Sequence, residues 1–299
     1  MSDFLELSNP QYQVNDIQHG DFNDLVDLAS RTPEAMDASS NASTENPSSY
    51  TWDMNTGYNQ SLELLKNGWQ DESKLQTMQQ RSEAFQKKLQ DLESQAPRVV
   101  YDYSGDEIEI GRYLSHEPES FINFRLDNRR KAIRLICDIG GSCVVTSDQF
   151  LARGSAIIGL CRYLESNGYA TEILAISCCK SVKSPTKKQV SCFTIKEAHE
   201  YYNYSRLLFL LVHPAAFRRI FFRVYEHNTE QKRRYYGWYV SGSYGYGFNA
   251  FESFTEKDKQ NSIYFPFLLS GDYNSDDYTQ SVSEVASKTM ATGQGGECR

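Results

Sequence analysis

Asp138, Ile139, Gly140, Gly141 and Ser142 end the apolar run that begins after Arg134, and they place an oxygen-bearing side chain at each end of a short glycine-containing loop. Three chemistries suit that spacing. In the first, the Asp138 carboxylate and the Ser142 hydroxyl take neighbouring positions around Mg2+ or Mn2+, with water and a partner's carboxylate completing the shell. In the second, the glycine-rich loop after a strand cradles a phosphate. In the third, the loop is a capped turn: the glycines supply positive φ and the aspartate bonds its own backbone.

Other residues could join that loop. His213, next to Pro214, ends another apolar run and can act as a metal ligand or proton carrier, or simply precede a helix start. Asp272 follows the last apolar run, and Tyr244 and Tyr246 stand in the Gly/Tyr-rich segment 237–247. Together with Gly140 and Gly141, His213, Asp272, Tyr244 and Tyr246 are the candidate binding residues, and Asp138 and Ser142 the candidate metal ligands. Cys178-Cys179 would need a histidine partner and an oxyanion hole to act as a catalytic thiol. The histidines at 19, 116, 199, 213 and 227 show no such spacing, so packing is the expectation for both cysteines. Zinc at Cys178, Cys179 and His199 or His213 is disfavoured by the absence of a Cys-x-x-Cys pair. Arg218, Arg219, Arg223, Lys232, Arg233 and Arg234, beside Tyr235 and Tyr236, form a basic and aromatic cluster that either contacts single-stranded nucleic acid or lies on a solvated helix face.

The elements that carry these residues follow from periodicity. Ile133–Cys137 and Ile173–Ser177 read as strands buried on both faces, joined by an amphipathic helix over Phe150–Ser166, a β-α-β unit whose strands are parallel neighbours. Gln189–Ile195, Leu207–Val212 and Ile263–Leu269 read as further strands, and a helix starts at His213-Pro214. Val99–Tyr103 and Ile108–Tyr113, around Ser104-Gly105-Asp106, read as a hairpin. Before them, Ser61–Asn67 with Gly68 is a short helix, and Leu75, Met78, Phe85, Leu89 and Leu92 mark a longer one over Glu72–Ser94. Alternating strands and helices predict an α/β, three-layer Rossmann-like domain over 98–288, with a helical extension at 51–97. Residues 1–50 read as acidic and mostly disordered, with an amphipathic piece at Phe22–Leu28, and 289–299 as a flexible tail.

Composition bounds the function. Residues 1–50 hold nine acidic residues against Arg31 alone, a deficit equal to the net charge of −8 of the whole 299-residue chain, so the remainder is balanced. The overall negative charge argues against a non-specific nucleic-acid binder. Seven cysteines, an odd number set mostly in apolar runs, with no basic-then-apolar leader, predict reduced thiols in a cytoplasmic protein. The longest apolar run, Leu207–Val212, falls far short of the ~20 residues that cross a bilayer.

With these residues located, a resemblance can be stated. TGYNQSLELLKNGW (56–69), YDYSGDEIEIGRYLSHEPESF (101–121), the strand-helix-strand at Arg134–Ser177, HPAAFRR (213–219) and the Tyr-Gly repeat at 244–247 resemble a family of tailed-bacteriophage proteins. Ser115-His116 departs from it, standing where a small residue or glycine is usual. The core resembles a degenerate von Willebrand factor A domain, whose metal loop is Asp-x-Ser-x-Ser after the first strand. Here Gly140 replaces the middle serine and removes one oxygen ligand, so metal affinity should fall or vanish. A phosphate loop of the actin and sugar-kinase type would need a second phosphate motif downstream, and none is found. The resemblance implies a phage-encoded, non-enzymatic protein-binding module in the host cytoplasm, with no cofactor or weakly bound Mg/Mn, whose partner is another protein such as an AAA+ ATPase of the MoxR type. The alternatives are a small hydrolase or nucleotide-binding enzyme using the same strand-end loop, and nucleic-acid binding through 218–236.

Overall fold

A computed structural model describes residues 16–33, 42–45, 48–93, 100–102, 107–108, 110–118, 120–123, 132–142, 144–181, 186–198, 200–227, 247–269, 282, 284–286, 288–290 and 295–298. The first half of the chain contributes β1 (Asp16–Asp21), α1 (Phe22–Ser30), α2 (Ala42–Glu45), α3 (Tyr50–Asp53), α4 (Tyr58–Asn67) and α5 (Glu72–Glu93). Next come β2 (Val100–Asp102), β3 (Glu107–Ile108), α6 (Ile110–Leu114) and β4 (Phe121–Asn123). The core then runs β5 (Ala132–Asp138), α7 (Ser147–Ser166), β6 (Ala170–Lys180), β7 (Lys188–Lys196) and α8 (Tyr204–Val212). A π-helical stretch, Ala216–Phe221, leads into α9 (Phe222–Glu226), and α10 (Glu256–Lys259), β8 (Ser262–Phe265) and β9 (Gly296–Glu297) complete the order.

Six strands form one mixed sheet in the order β1-β7-β6-β5-β8-β9. β5 lies parallel to β6 and β8, as a β-α-β crossover requires, and Asp138 stands opposite Ile176 at the carboxyl end. β7 returns antiparallel to β6, and β1 runs parallel to β7. Ile133, Leu135 and Cys137 face a core shared with α1, α5, α7 and α8, while Ile136 faces the opposite core with Phe248, Phe254 and Tyr264. The helices thus cover one face and the aromatic segment 247–259 the other, consistent with a three-layer Rossmann-like α/β fold.

α7 begins on a capping box between Thr146 and Gln149 and is buried along most of its length because it lies between the sheet and α5. Close approach of α5 depends on Gly159: a Cβ there would come within 2.7 Å of the Ser82 carbonyl oxygen. Met78, Phe85 and Leu89 of α5 are buried in the same core, so the apolar stripe packs on its own domain. Gly68 ends α4 with φ 79, a left-handed value that glycine adopts without strain.

Several expectations are corrected. Leu207–Val212 is helical, within α8: Asn203 caps the helix through its side chain on Arg206 N–H, and the apolar run is buried all round because α4, α5 and α7 pack on it. The predicted hairpin is instead a three-stranded sheet in which β2 and β3 both pair with β4, and Ile110–Leu114 is helical. Residues 16–30 belong to the fold: β1 extends the sheet, and Leu25 and Ala29 of α1 are fully buried. The tail expected from 289 onward returns as β9, which pairs with β8 and buries Cys298. The other residues of the two terminal segments lie outside the described set. Among the described residues, no helix is long and apolar enough to cross a membrane.

Candidate functional site

β5 carries Asp138 to the carboxyl end of the sheet, where ligand sites of α/β proteins are built. The side chain is fully buried and points to the same side as Ile136. Its Oδ1 accepts the Gly140 N–H at 3.0 Å, the capped-turn geometry. Burial pushes the Asp138 carboxyl up to about 7, against the opposing influence of the Gly140 N–H, the Arg153 guanidinium and the Cys178 thiol. Near pH 7 the carboxyl is then shared between its neutral and charged forms.

The rest of the loop is closed from both sides. Arg153 of α7, itself buried, donates from Nη1 to the carbonyls of Asp138 (2.6 Å), Gly140 (3.5 Å) and Pro266 (3.3 Å). Ser142 is held through its main chain: its N–H bonds Leu268 O at 2.8 Å and its carbonyl accepts Arg218 Nη2 at 3.0 Å. The glycines do not serve positive φ as expected. Positive φ among the described glycines occurs at 57, 68 and 168, whereas Gly140 and Gly141 make room for rings. A Cβ on Gly140 would sit 2.6 Å from Phe267, and one on Gly141 2.6 Å from Phe150. Gly140→Ala should therefore cost about 1–3 kcal/mol through overpacking. Denaturant unfolding measures it; a cost below about 0.5 kcal/mol, the level of a neutral surface change, would mean that the loop is open.

His213 has different surroundings. It caps the end of α8, and its Nδ1 accepts the Ala215 N–H at 3.2 Å. The neutral ring's proton is therefore on Nε2, which lies 3.3 Å from Thr56 Oγ1 and donates to it. Burial lowers the His213 pKa to about 4, with the Asp53 carboxylate pulling the other way. A neutral imidazole donating to Thr56 is the wrong tautomer to take a proton from that hydroxyl. The ring stands edge-on to Trp69 at 4.6 Å and forms part of the floor of an open groove of about 670 Å³ with Met54, Gln60 and Asp71.

The structure brings Asp138, Gly140, Gly141 and Ser142 together on one loop and sets His213 in a separate environment. Asp272, Tyr244 and Tyr246 lie outside the described residues, as do His199, Cys143 and the 232–236 part of the basic cluster. The described arginines of that cluster, Arg218, Arg219 and Arg223, are internal, not solvated. Arg219 donates to Asp53 Oδ2 from Nε (2.9 Å) and Nη2 (2.6 Å), and to the Ser43 carbonyl from Nη1 (2.8 Å). Arg223 reaches Glu226 at 3.2 Å and Tyr58 Oη at 3.0 Å, and Glu226 accepts the Ser43 N–H at 2.7 Å. Sequence reasoning missed Asp53 and Ser43, whose partner Arg219 is far away in the chain, and also Glu226, which pairs with Arg223 only three residues away.

Among the described residues, no thiol is poised for attack. Burial raises Cys178 and Cys179 well above the usual thiol range and Cys161 to about 11. The six described cysteines are free and buried. Among the described residues, no group of three or more His, Cys, Asp or Glu side chains could hold a metal ion. Neither the curated proteins nor the solved structures contain a match to this chain. Residues 8–292, nearly the whole sequence, match a domain of unknown function, DUF7192, and the chain belongs to that family.

Proposed function

We propose that this chain is a non-enzymatic protein-binding module in which the Asp138–Ser142 loop has become a structural turn. The observation that carries the reading is the closure of that loop by Phe267, Phe150 and Arg153 around a fully buried carboxyl. An enzyme at the same strand ends would need an acid and a nucleophile within reach of substrate, and Asp138 and Cys178 are both buried.

Open surface is found on the helical layer instead. An ≈ 820 Å³ groove between the start of α5 and residues 200–205 shares Gln70 with the His213 groove. Tyr201 stands in its wall with 94% exposure, and exposed tyrosines beside half-buried aromatics are typical anchors of protein interfaces. A von Willebrand A-like core is the finer form of the fold reading. It is supported by a central strand ending in Asp138, a parallel crossover to β6 and an antiparallel β7 beyond. Phage origin, a place in the host cytoplasm and an AAA+ ATPase as partner rest on the sequence resemblance.

One experiment has two arms. Tagged chain is used to capture a purified MoxR-type ATPase, and Tyr201→Ala should cut the captured amount severalfold with an unchanged melting temperature; equal capture by the variant, or none by either protein, overturns the reading. Melting in millimolar Mg2+ or Mn2+ should leave the transition in place, and a rise that grows with metal concentration would restore the metal loop.

A further inference from the structure

On the face of the sheet opposite Asp138, the ends of β6 and β7 carry polar residues where apolar ones would be expected. Ser177 stands across from Ser191 and Cys179 across from Gln189 in the strand register. Strand alternation puts all four on the helix side, because Ala175 and Phe193 of the same strands belong to the core packed by the helices. Tyr225 of α9 reaches the β6 side of the array, donating its hydroxyl to Ser177 Oγ at 2.6 Å. Its hydroxyl also neighbours the Cys179 thiol.

Two members of this array are unsatisfied. Gln189 and Ser191 are fully buried, and Gln189 Nε2, Gln189 Oε1 and Ser191 Oγ have no hydrogen-bond partner. A buried amide with both its donor and its acceptor unmet is costly, and native interiors meet such atoms with ordered water. Gln189 and Ser191 are second neighbours on one strand, so their side chains lie on the same face of the sheet. The unmet atoms include a donor and an acceptor on fully buried side chains, so the guest must both donate and accept and must be small.

We propose that Gln189 and Ser191, on the helix side of the sheet near the carboxyl end of β6, hold an ordered internal water. The water supplies an acceptor to Gln189 Nε2 and a donor to Gln189 Oε1, and bridges to Ser191 Oγ. The site is independent of the protein-binding reading.

High-resolution diffraction from the full chain tests the site directly. A discrete peak within about 3.5 Å of the Gln189 amide and Ser191 Oγ is expected; an empty site, or density for a larger molecule, overturns the proposal. Ser191→Ala and Gln189→Met supply an independent readout. If water bridges these residues, each variant strips a partner from it and the melting temperature stays level or falls. If the atoms are truly unmet, removing them raises the melting temperature, and that result also overturns the proposal.

Discussion

Asp53→Ala is expected to lower stability by about 3–5 kcal/mol, because it strands a buried guanidinium. Arg219 is 1% exposed and Asp53 is fully buried, and both nitrogens on one edge of the arginine point at a single carboxylate oxygen. Asp53 also accepts the N–H of Ser49 at 3.0 Å and of Gly57 at 3.3 Å, so its loss frees the backbone on both sides of α3. For a chain of this size the change corresponds to a fall in melting temperature on the order of 10 °C. Asp53→Asn, which keeps an acceptor without the charge, should lose less. The double change Asp53→Ala with Arg219→Met should recover part of the loss, since no buried charge then remains. Chemical denaturation of the three variants checks this, and a loss under about 1 kcal/mol for Asp53→Ala would mean that the pair is exposed in solution.

The second large effect depends on pH. Burial raises the Asp138 carboxyl from 3.8 to about 7, so between those values the folded chain keeps a proton that the unfolded chain has released. Its contribution to stability is therefore fully present below about pH 4 and is lost as the pH rises through 7; a gap of that width is worth about 4 kcal/mol. His213 works in the opposite direction. Its pKa falls from 6.5 to about 4 on folding, so its contribution is present above 6.5 and is lost as the pH falls through 4. The two oppose each other between pH 4 and 6.5, and only Asp138 acts just above that range. Asp138→Asn retains an oxygen to accept the Gly140 N–H and cannot ionise. Its stability relative to the parent chain should climb steadily from pH 4 to about 7 and then level off. Unfolding free energies at four or five pH values measure the difference, and a flat difference would mean that Asp138 titrates normally.

How far the sequence could be read depended on the range of the interactions involved. β5, α7 and β6 were legible because each announces itself locally, by a buried apolar run or by helical spacing, although the Thr146/Gln149 cap that starts α7 at Ser147 was not read. Leu207–Val212 was not, since a short run of apolar residues fits a buried strand and a buried helix equally well. Asn203, a helix N-cap four residues upstream of Leu207, was the available signal. At the loop, the Asp138 turn was foreseen, but the role of the glycines was not. Phe267 and Phe150 reach Gly140 and Gly141 from other parts of the chain, and a loop's own residues say nothing about which rings cover it. Arg219 looked solvated for the same reason, since its anion, Asp53, is identified only once the helices pack, whereas Glu226, at i+3 from Arg223, was a local partner left unread.

The strand order has a consequence for synthesis. β1 is the first of the described strands to leave the ribosome, yet its neighbour in the sheet, β7, begins only at Lys188, after β5 and β6 have been made. β9, at the far end of the chain, supplies the opposite margin. The nascent sheet must therefore assemble from its middle outward, with its earliest strand waiting unpaired. Such long-range pairing slows folding, and it makes the two chain ends the last pieces to lock. A truncated translation product would keep the β5–β6 centre while leaving its flanking backbone unpaired and adhesive.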